Sequence, residues 1–244
     1  MMRVQFLGCG DAFGSGGRFN TCILLEAGGP PCLIDCGASS LIAMKRFGVD
    51  PNTIGSIFIS HLHADHFGGL PFFILDAQFA RRRAPLTIAG PAGLRDRLVQ
   101  AMELYFPGSS RTSQKFELAV LEWTPQQPMV FNGATVTPYQ VYHDGTAPYF
   151  ALRVELAGQV VAYSGDTEWS EALLEAARAA DLFICEAYFY DKAVKTHLDL
   201  KTLEAHLPAI QARRLILTHL SPDMLARVGE LEYDVAEDGL VIEL

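Results

Sequence analysis

The run Ser60-His61-Leu62-His63-Ala64-Asp65-His66 constrains the fold of this chain more than any other segment. It follows directly on the apolar segment 56–60, which has the composition of a short buried strand. Three imidazoles crowded in an apolar interior would repel one another on protonation, and each ring nitrogen would need a hydrogen-bond partner. A divalent metal ion removes both problems. The pattern therefore predicts a metal centre at the end of a buried strand, and the alternative is a polar turn with chance histidines.

Four further residues stand at comparable places, each at the start of a loop that follows an apolar or strand-like segment. His143, His197 and His219 close the segments VTPYQVYH, AYFYDKAVKTH and LILTH, and Asp166 follows another such segment. Taken singly, His143, Asp166 and His219 would be ordinary core or turn residues. Because loops at one edge of a layered structure converge in space, we expect these side chains to join the cluster. His206 lies inside a predicted helix, so we expect it to be a surface residue.

These residues are sufficient for two metal ions. The predicted ligands are His61, His63 and His143 for the first ion and Asp65, His66 and His219 for the second, with Asp166 as a bridge. Three protein ligands and a bridge leave an open position on each ion, which is typical of a catalytic site. Two adjacent ions can share a hydroxide that attacks a substrate, while both stabilise the developing charge. The imidazole count favours zinc, and the carboxylates also allow manganese or iron.

Strand-like and helix-like segments alternate along residues 1–244, without a linker rich in Pro, Ser or charge and without an internal repeat. Half of the residues are apolar and 19% are charged, which excludes intrinsic disorder. Helices are predicted over 71–83, over 170–180 with Ser170 as the N-cap, and over 201–211, and Asn132-Gly133 predicts a hairpin turn. We therefore expect a single α/β domain with sheets inside and helices outside.

The charge of the chain limits its partners. The formal net charge is −9, from 19 Lys and Arg against 28 Asp and Glu, which argues against a broad nucleic-acid-binding surface. A small anionic substrate remains compatible with this net charge, because bound metal cations make the local charge positive. The arginines at 81–83 are expected to form a solvated helix end, favoured by the helix dipole.

Apolar segments and cysteines indicate the compartment. No apolar run reaches the ~20 residues that cross a bilayer, and the first residues do not resemble a signal peptide, so no membrane contact and a cytoplasmic location are expected. The cysteines are odd in number and form no C-x-x-C pair, so we expect buried reduced thiols at Cys9, Cys22, Cys32, Cys36 and Cys185.

The ordered set of His61-Leu62-His63-Ala64-Asp65-His66, His143, Asp166 in SGDT and His219 in LTH resembles the metallo-β-lactamase superfamily in residue type and order. The upstream segment Leu33-Ile34-Asp35-Cys36-Gly37 is similar to the segment of that superfamily whose aspartate orients the histidine cluster. The resemblance covers essentially the whole chain. It implies a four-layer αβ/βα metallo-β-lactamase sandwich with the dinuclear site at one edge, and a supporting role for Asp35. It leaves the substrate open, because the superfamily hydrolyses lactams, thioesters, lactones and phosphodiesters.

A narrower resemblance concerns Thr196-His197, which stands about twenty residues before the LTHLSP segment. It is similar to the extra histidine of the phosphodiesterase branch, which includes ribonuclease Z and the phosphoribosyl cyclic phosphodiesterase. The resemblance implies that His197 faces the metals and protonates the leaving oxygen, with Asp65 as the second catalytic residue. Glu186 is either the group that orients His197 or an ordinary surface carboxylate.

The chain departs from ribonuclease Z at one place. Its tRNA-binding arm is inserted between the segments that match His143 and Asp166, where this chain has only the 22 residues 144–165. The sequence therefore predicts a phosphodiesterase for a small cyclic or nucleotide-derived substrate, for which Arg18 and Ser221 are candidate contacts. The glycine-rich loop 8–20 has no assigned role. The sequence is compatible with a homodimer.

Three other functions stay open at this point. The first is hydrolysis of a lactone, ester or thioester by the same centre, which would favour an apolar groove lined by Phe13, Phe19, Phe72, Phe73 and Tyr149. The second is tRNA 3′ processing, for which this chain lacks both the RNA-binding arm and a positively charged surface. The third is a metal-binding module without catalysis, which an incomplete ligand set would favour.

Overall fold

Two seven-stranded sheets form the centre of the computed structural model, which describes residues 1–145 and 147–244. The strands are β1 (Arg3–Gly8), β2 (Cys22–Glu26), β3 (Cys32–Ile34), β4 (Ser56–Phe58), β5 (Leu86–Gly90), β6 (Leu118–Glu122), β7 (Met129–Phe131), β8 (Ala134–Val141), β9 (Tyr149–Leu156), β10 (Gln159–Tyr163), β11 (Leu182–Glu186), β12 (Leu215–Thr218), β13 (Asp234–Val235) and β14 (Val241–Glu243). The first sheet has the order β14-β1-β2-β3-β4-β5-β6, and the second has the order β13-β12-β11-β10-β9-β8-β7. Each sheet mixes parallel and antiparallel pairs.

Helices cover the outer face of each sheet. They are α1 (Ser40–Arg46), α2 (Ala64–Phe67), α3 (Leu70–Phe79), α4 (Leu94–Tyr105), α5 (Ala172–Ala177), α6 (Leu200–His206) and α7 (Pro222–Leu225). Residues of α1 to α4 pack with the first sheet in one apolar cluster, and residues of α5 to α7 pack with the second sheet in another. The four-layer αβ/βα sandwich predicted from the sequence is confirmed.

The strands are apolar on both faces because each sheet packs on two sides. Along β2, Ile23 and Leu25 face the core between the sheets, whereas Cys22 and Leu24 face the helices of the first sheet. Successive side chains of a strand point to opposite faces, so this alternation follows from the pleat. Full burial of such a side chain contributes about 1.5–3 kcal/mol. The continuous apolar runs in the sequence reflect this two-sided burial.

The predicted hairpin at Asn132-Gly133 is confirmed. Phe131 pairs with Ala134 across the turn between β7 and β8. Both turn residues have positive φ, 49° for Asn132 and 90° for Gly133, which is the geometry that matches the twist of the flanking strands.

Several predictions about helices are wrong in detail. The helix predicted over 71–83 ends at Phe79, and the one predicted over 201–211 gives way to a 3₁₀ turn at Leu207–Ala209. α5 begins two residues after Ser170, so this serine is not its N-cap. Only α6 shows a strong cap among these three, because the Asp199 carboxylate accepts from Thr202 N.

Arg82 is not the solvated residue that was predicted. The chain turns back at Arg81, which has φ 58°, and thereby places the Arg82 side chain inside the protein with 3% of its surface exposed. The Arg82 guanidinium donates to backbone carbonyl oxygens of Pro51, Ile54, Ala84 and Pro85. It therefore provides donors for backbone carbonyl oxygens of the surrounding loops.

Within the described part of the chain, every helix is too short or too polar to cross a membrane.

Candidate metal centre

Strand ends bring the predicted ligands together. In the second sheet, β8 runs antiparallel to β9 and β9 antiparallel to β10, while β10, β11 and β12 are parallel, so β8, β10, β11 and β12 all point the same way. Their carboxyl ends deliver His143, Asp166, Glu186 and His219 to one edge of the sheet. The loop after β4 delivers the His61–His66 segment from the first sheet. The centre therefore lies at the edge of the sandwich where these strand ends of the two sheets adjoin.

One ligand group consists of three imidazoles. His61, His63 and His143 each offer a ring nitrogen, and these atoms lie within 4.8 Å of one another. His61 is buried, and the other two are partly exposed. The His143 Nδ1–H donates to the carbonyl oxygen of Thr196, which leaves Nε2 available as a ligand atom. The arrangement suits a metal ion that prefers imidazole ligands.

The second group is fully buried and mixes carboxylates with imidazoles. Asp65, His66, Asp166 and His219 offer ligand atoms that also lie within 4.8 Å of one another. His219 Nε2 is 3.2 Å from Asp65 Oδ2 and 3.4 Å from Asp166 Oδ2. Asp166 Oδ2 is also 3.9 Å from His61 Nε2 in the first group. Asp166 thus stands between the two groups, at the place expected of a bridging carboxylate.

The polar atoms at the centre fit a divalent cation. His61 Nε2 and Asp166 Oδ1 are buried and find no hydrogen-bond partner among residues 1–145 and 147–244. Burial, followed by the nearby His66, lowers the pKa of His61 well below its usual range, which keeps the ring neutral and able to ligate. Burial alone would raise the pKa of Asp65, but contacts with His66 and His219 lower it instead, so the carboxylate is ionised. Unpartnered neutral nitrogens beside ionised carboxylates are the donor set that a divalent transition metal requires.

Asp35 lies in contact with the histidine cluster, and its supporting role stays a prediction. Its buried carboxylate lies 2.7 Å from His66 Nδ1 and accepts from Ser60 N at 2.7 Å and Ser60 Oγ at 2.8 Å. Asp35 has φ 58°, a strained conformation for a non-glycine residue. Two residues later, a Cβ on Gly37 would lie 2.0 Å from the carbonyl oxygen of Asp65. The Asp35-Cys36-Gly37 turn therefore packs directly against the backbone of the ligand-bearing loop.

Glu186 is the buried partner of His197, and the alternative of a surface carboxylate is excluded. It has no exposed surface, and its Oε2 is 2.8 Å from His197 Nδ1. Burial, followed by the Asp166 carboxylate, raises the pKa of Glu186. Burial lowers the pKa of His197, and Asp166 opposes this shift. The His197 ring lies 4.7 Å from that of His143, centroid to centroid, so it stands beside the first ligand group.

Tyr188 is a residue that the sequence reasoning missed. Its ring stacks on the His197 ring, with centroids 4.5 Å apart and planes 24° apart. The Tyr188 hydroxyl donates to Asp11, 3.5 Å away, in the glycine-rich loop. The Asp11 carboxylate also accepts from Ser15 N at 2.8 Å, so it holds the loop and the tyrosine together. The only signal in the sequence was an aromatic residue directly after the Glu186-Ala187 strand end.

Asp144 and Tyr149 also contact the centre through hydrogen bonds, and neither contact was predicted from the sequence. Asp144 Oδ2 lies 3.1 Å from His63 Nε2, and the Tyr149 hydroxyl donates to Asp144 Oδ1. The signal was an acid directly after His143 in a loop whose neighbours carry ligands. These contacts orient the partly exposed His63 ring.

Other predicted residues have different surroundings. Arg18 donates to the carbonyl oxygen of Ala236 at 2.8 Å, and Ser221 is buried where its Oγ accepts from Met224 N at the start of α7. Neither contact involves a ligand group, and a role of Arg18 and Ser221 in substrate binding stays a prediction. His206 is only partly exposed, because it stacks on Trp169 with centroids 3.8 Å apart.

The apolar groove considered for an ester substrate does not form as a unit. Phe73 is buried in the core beneath the helices of the first sheet, and Phe13 is 85% exposed in the glycine-rich loop. Phe19 is partly buried beneath the Arg46 guanidinium. These side chains therefore do not line one surface with Tyr149, which lies beside His63.

The chain is similar in sequence to several known proteins. The family model described as Anti-Pycsar protein Apyc1 matches residues 2–236. The uncharacterized protein Rv1339 of Mycobacterium tuberculosis is 32% identical over 91% of this chain and 81% of its own length. Ribonuclease Z of Methanosarcina acetivorans is 29% identical over 91% of this chain and 88% of its own length.

Among solved structures, the short form of human tRNase Z superposes with a TM-score of 0.80 at 28% sequence identity, covering 99% of this chain and 98% of that chain. The homologues and structural neighbours are hydrolases of the metallo-β-lactamase fold, so the chain is an enzyme of that class. The chain belongs to the Anti-Pycsar protein Apyc1 family, within the phosphodiesterase branch of the metallo-β-lactamase superfamily.

Proposed function

We propose that this protein is a dinuclear metal-dependent phosphodiesterase that hydrolyses a small cyclic nucleotide. The observation that carries the proposal is the placement of His197. It lies outside the two main ligand groups, yet its ring is beside His143 and its Nδ1 is held by the buried Glu186. A histidine held in this position is available as a proton donor.

The ligand groups define what the centre offers a substrate. His61, His63 and His143 would hold one ion and Asp65, His66 and His219 the other, with Asp166 shared between them. Bound divalent cations, zinc first by ligand type, would supply a water of lowered pKa and positive charge beside the phosphoryl oxygens. That charge also offsets the carboxylates of Asp65 and Asp166, in a chain with a net charge of −9.

The chain itself handles the proton of the leaving group. Glu186 Oε2 lies 2.8 Å from His197 Nδ1 and fixes the orientation of the ring. Tyr188 covers one face of the ring and limits its rotation. His197 can then give a proton from Nε2 to the departing oxygen. Without that proton the oxygen would leave as an alkoxide, which is a poor leaving group. Asp65 contributes as a ligand whose ionised carboxylate also contacts His219.

Two observations favour a small cyclic substrate over tRNA. Residues 144–165 are occupied by the connection after His143 and by β9 and β10, which are joined by the two residues Ala157 and Gly158. This leaves no room in that segment for an RNA-binding arm. The net charge of −9 opposes a long polyanion. The family name also points to cyclic nucleotide degradation.

The test compares substrates on the metal-loaded protein and adds one variant. We expect a 3′,5′-cyclic nucleotide to be hydrolysed with a higher kcat/KM than a lactone, a thioester or a precursor tRNA. His197→Ala should keep its bound metal and lose turnover of the cyclic nucleotide by a factor of roughly 10²–10⁴. The control is His206→Ala, which changes a histidine outside the centre and should leave turnover unchanged. Preference for the lactone, or full activity of His197→Ala, would refute the proposal.

A further inference from the structure

A cavity of about 410 Å³ opens beside the first ligand group. Its inner wall is formed by Leu62, His63 and Phe67 from the ligand-bearing loop and α2. Its outer wall is formed by Arg97, Gln100 and Tyr105 of α4. His63 is therefore shared by the metal centre and the cavity, so the cavity directly adjoins the first ligand group.

The spacing of residues along α4 determines which side chains form the outer wall. Arg97 and Gln100 are three residues apart and lie on one face of α4. The neighbouring stripe of the helix carries Leu94, Leu98 and Met102, which are buried in the core. The amphipathic pattern that docks α4 on the protein thus also directs two long polar side chains toward the cavity.

The polar groups of this wall are free to bind a ligand. Arg97 and Gln100 are exposed, and no ion pair of Arg97 occurs within the part of the chain that the structure describes. The Tyr105 ring is stacked on Phe72, with centroids 5.8 Å apart, which holds it at the rim. The opposite wall carries the apolar side chains of Leu62 and Phe67 beside His63, with Phe67 almost fully buried. A cavity with apolar walls and a few convergent polar groups is typical of a site for a small organic molecule.

The chemistry of the two walls points to a nucleobase. A base is a flat apolar ring with hydrogen-bonding groups along its edge. Arg97 presents only donors, and the Gln100 amide presents both a donor and an acceptor. An arginine side chain pairs with bases that carry a carbonyl oxygen on the edge, as it does with guanine.

We propose that this cavity is the base-binding subsite of the protein, in which Arg97 and Gln100 bind the edge of the nucleobase against the Leu62–Phe67 wall. The inference rests on the proposed function for its substrate class, and it adds the residues that determine base preference. A base with a carbonyl acceptor, such as guanine or uracil, is bound more tightly than adenine.

The first experiment measures kinetics on the metal-loaded protein. Arg97→Ala should raise KM for 3′,5′-cyclic GMP by about ten-fold, since a hydrogen bond to a charged group is lost, while kcat stays within about two-fold. Gln100→Ala should raise this KM to a smaller extent. Hydrolysis of bis(p-nitrophenyl) phosphate, which has no base, should be unchanged in both. The matched control is Arg95→Ala on the same helix, which lines a different cavity and should leave every value unchanged.

The second experiment measures binding without turnover. Guanosine, which lacks the phosphate, is titrated into metal-loaded wild type and Arg97→Ala, with saturation-transfer NMR as the readout. We expect guanosine to bind the wild type and to bind Arg97→Ala at least five-fold more weakly, and adenosine to bind the wild type more weakly than guanosine.

The outcomes separate the two proposals. If the wild type hydrolyses no cyclic nucleotide but binds guanosine through Arg97, the proposed function is wrong and the subsite stands. If cyclic GMP is hydrolysed with the same KM by wild type and Arg97→Ala, the function stands and the subsite is refuted. Absence of guanosine binding to the wild type, or equal binding to both proteins, also refutes the subsite.

Discussion

Replacing Asp35 by asparagine removes one charge from beneath the metal centre while keeping the size of the side chain. The buried Asp35 carboxylate serves three donors: Ser60 N, Ser60 Oγ and His66 Nδ1. An asparagine has one oxygen and one NH₂ group in the same space, so at least one of the three donors faces another donor. A buried donor without a partner costs about 1–3 kcal/mol of folding free energy.

The same change reaches the metal through His66. The Asp35 carboxylate fixes His66 with its Nδ1 proton toward the carboxylate and Nε2 toward the centre, and it makes the ring a better ligand. Loss of such a partner weakens metal affinity by roughly 10–100-fold. This corresponds to about 1.4–2.7 kcal/mol of binding free energy. We therefore expect Asp35→Asn to fold with a lower Tm and to bind the more weakly held of two metal equivalents poorly.

The assay is a competitive zinc titration against a chromogenic chelator, with thermal unfolding of the metal-free protein measured in parallel. Asp50→Asn is the matched control, because Asp50 is an exposed aspartate at a 3₁₀ N-cap away from the centre. If Asp35→Asn binds both equivalents with wild-type affinity and the metal-free protein keeps its Tm, Asp35 does not support His66 in the way argued here.

Three further predictions concern features elsewhere in the fold. The five buried cysteines should not react with Ellman's reagent at pH 8 until the protein is denatured, since burial raises the pKa of Cys22 and Cys32 to about 12. Rapid labelling of the native protein would contradict their burial. Arg82→Ala should lower the free energy of unfolding in urea by about 2–4 kcal/mol, because four carbonyl oxygens lose a charged donor, whereas a loss below ~0.5 kcal/mol would show that water replaces it. Gly37→Ala should abolish stable metal binding, since its Cβ would meet Asp65 O at 2.0 Å, while Gly229→Ala, with nothing within 4 Å, should retain it; equal binding by the two variants counts against the packing described.

Much of the ligand set was predictable because it lies in short segments with one clear pattern. His61, His63, Asp65 and His66 follow a buried strand directly, so local chain direction alone places them at its end. His143 and His219 follow strands in the same way, and strand direction in the second sheet then brings them to the same edge. The boundaries of the helices were less predictable, because tertiary contacts rather than propensity end them.

The supporting contacts could not be read from the sequence because each joins residues far apart along the chain. Asp11 and Tyr188 are 177 positions apart, and their hydrogen bond exists only because β1 and β11 end at the same edge of the two packed sheets. Arg82 looked like part of a solvated cluster, and only the backward turn at Arg81 places it among loop carbonyls. No local pattern carries such information.

The sequence by itself determined the chemistry of the centre and the layered class of the fold, because residue type decides ligand preference and short continuous apolar runs decide which segments become buried strands. Only the tertiary structure decided how those ligands are held and what adjoins them. It paired Glu186 with His197, set Asp35 under His66, and left a cavity between α4 and the ligand-bearing loop. The physical reason is that ligation depends on the identity of a side chain, whereas orientation and cavity shape depend on how separate elements pack against one another.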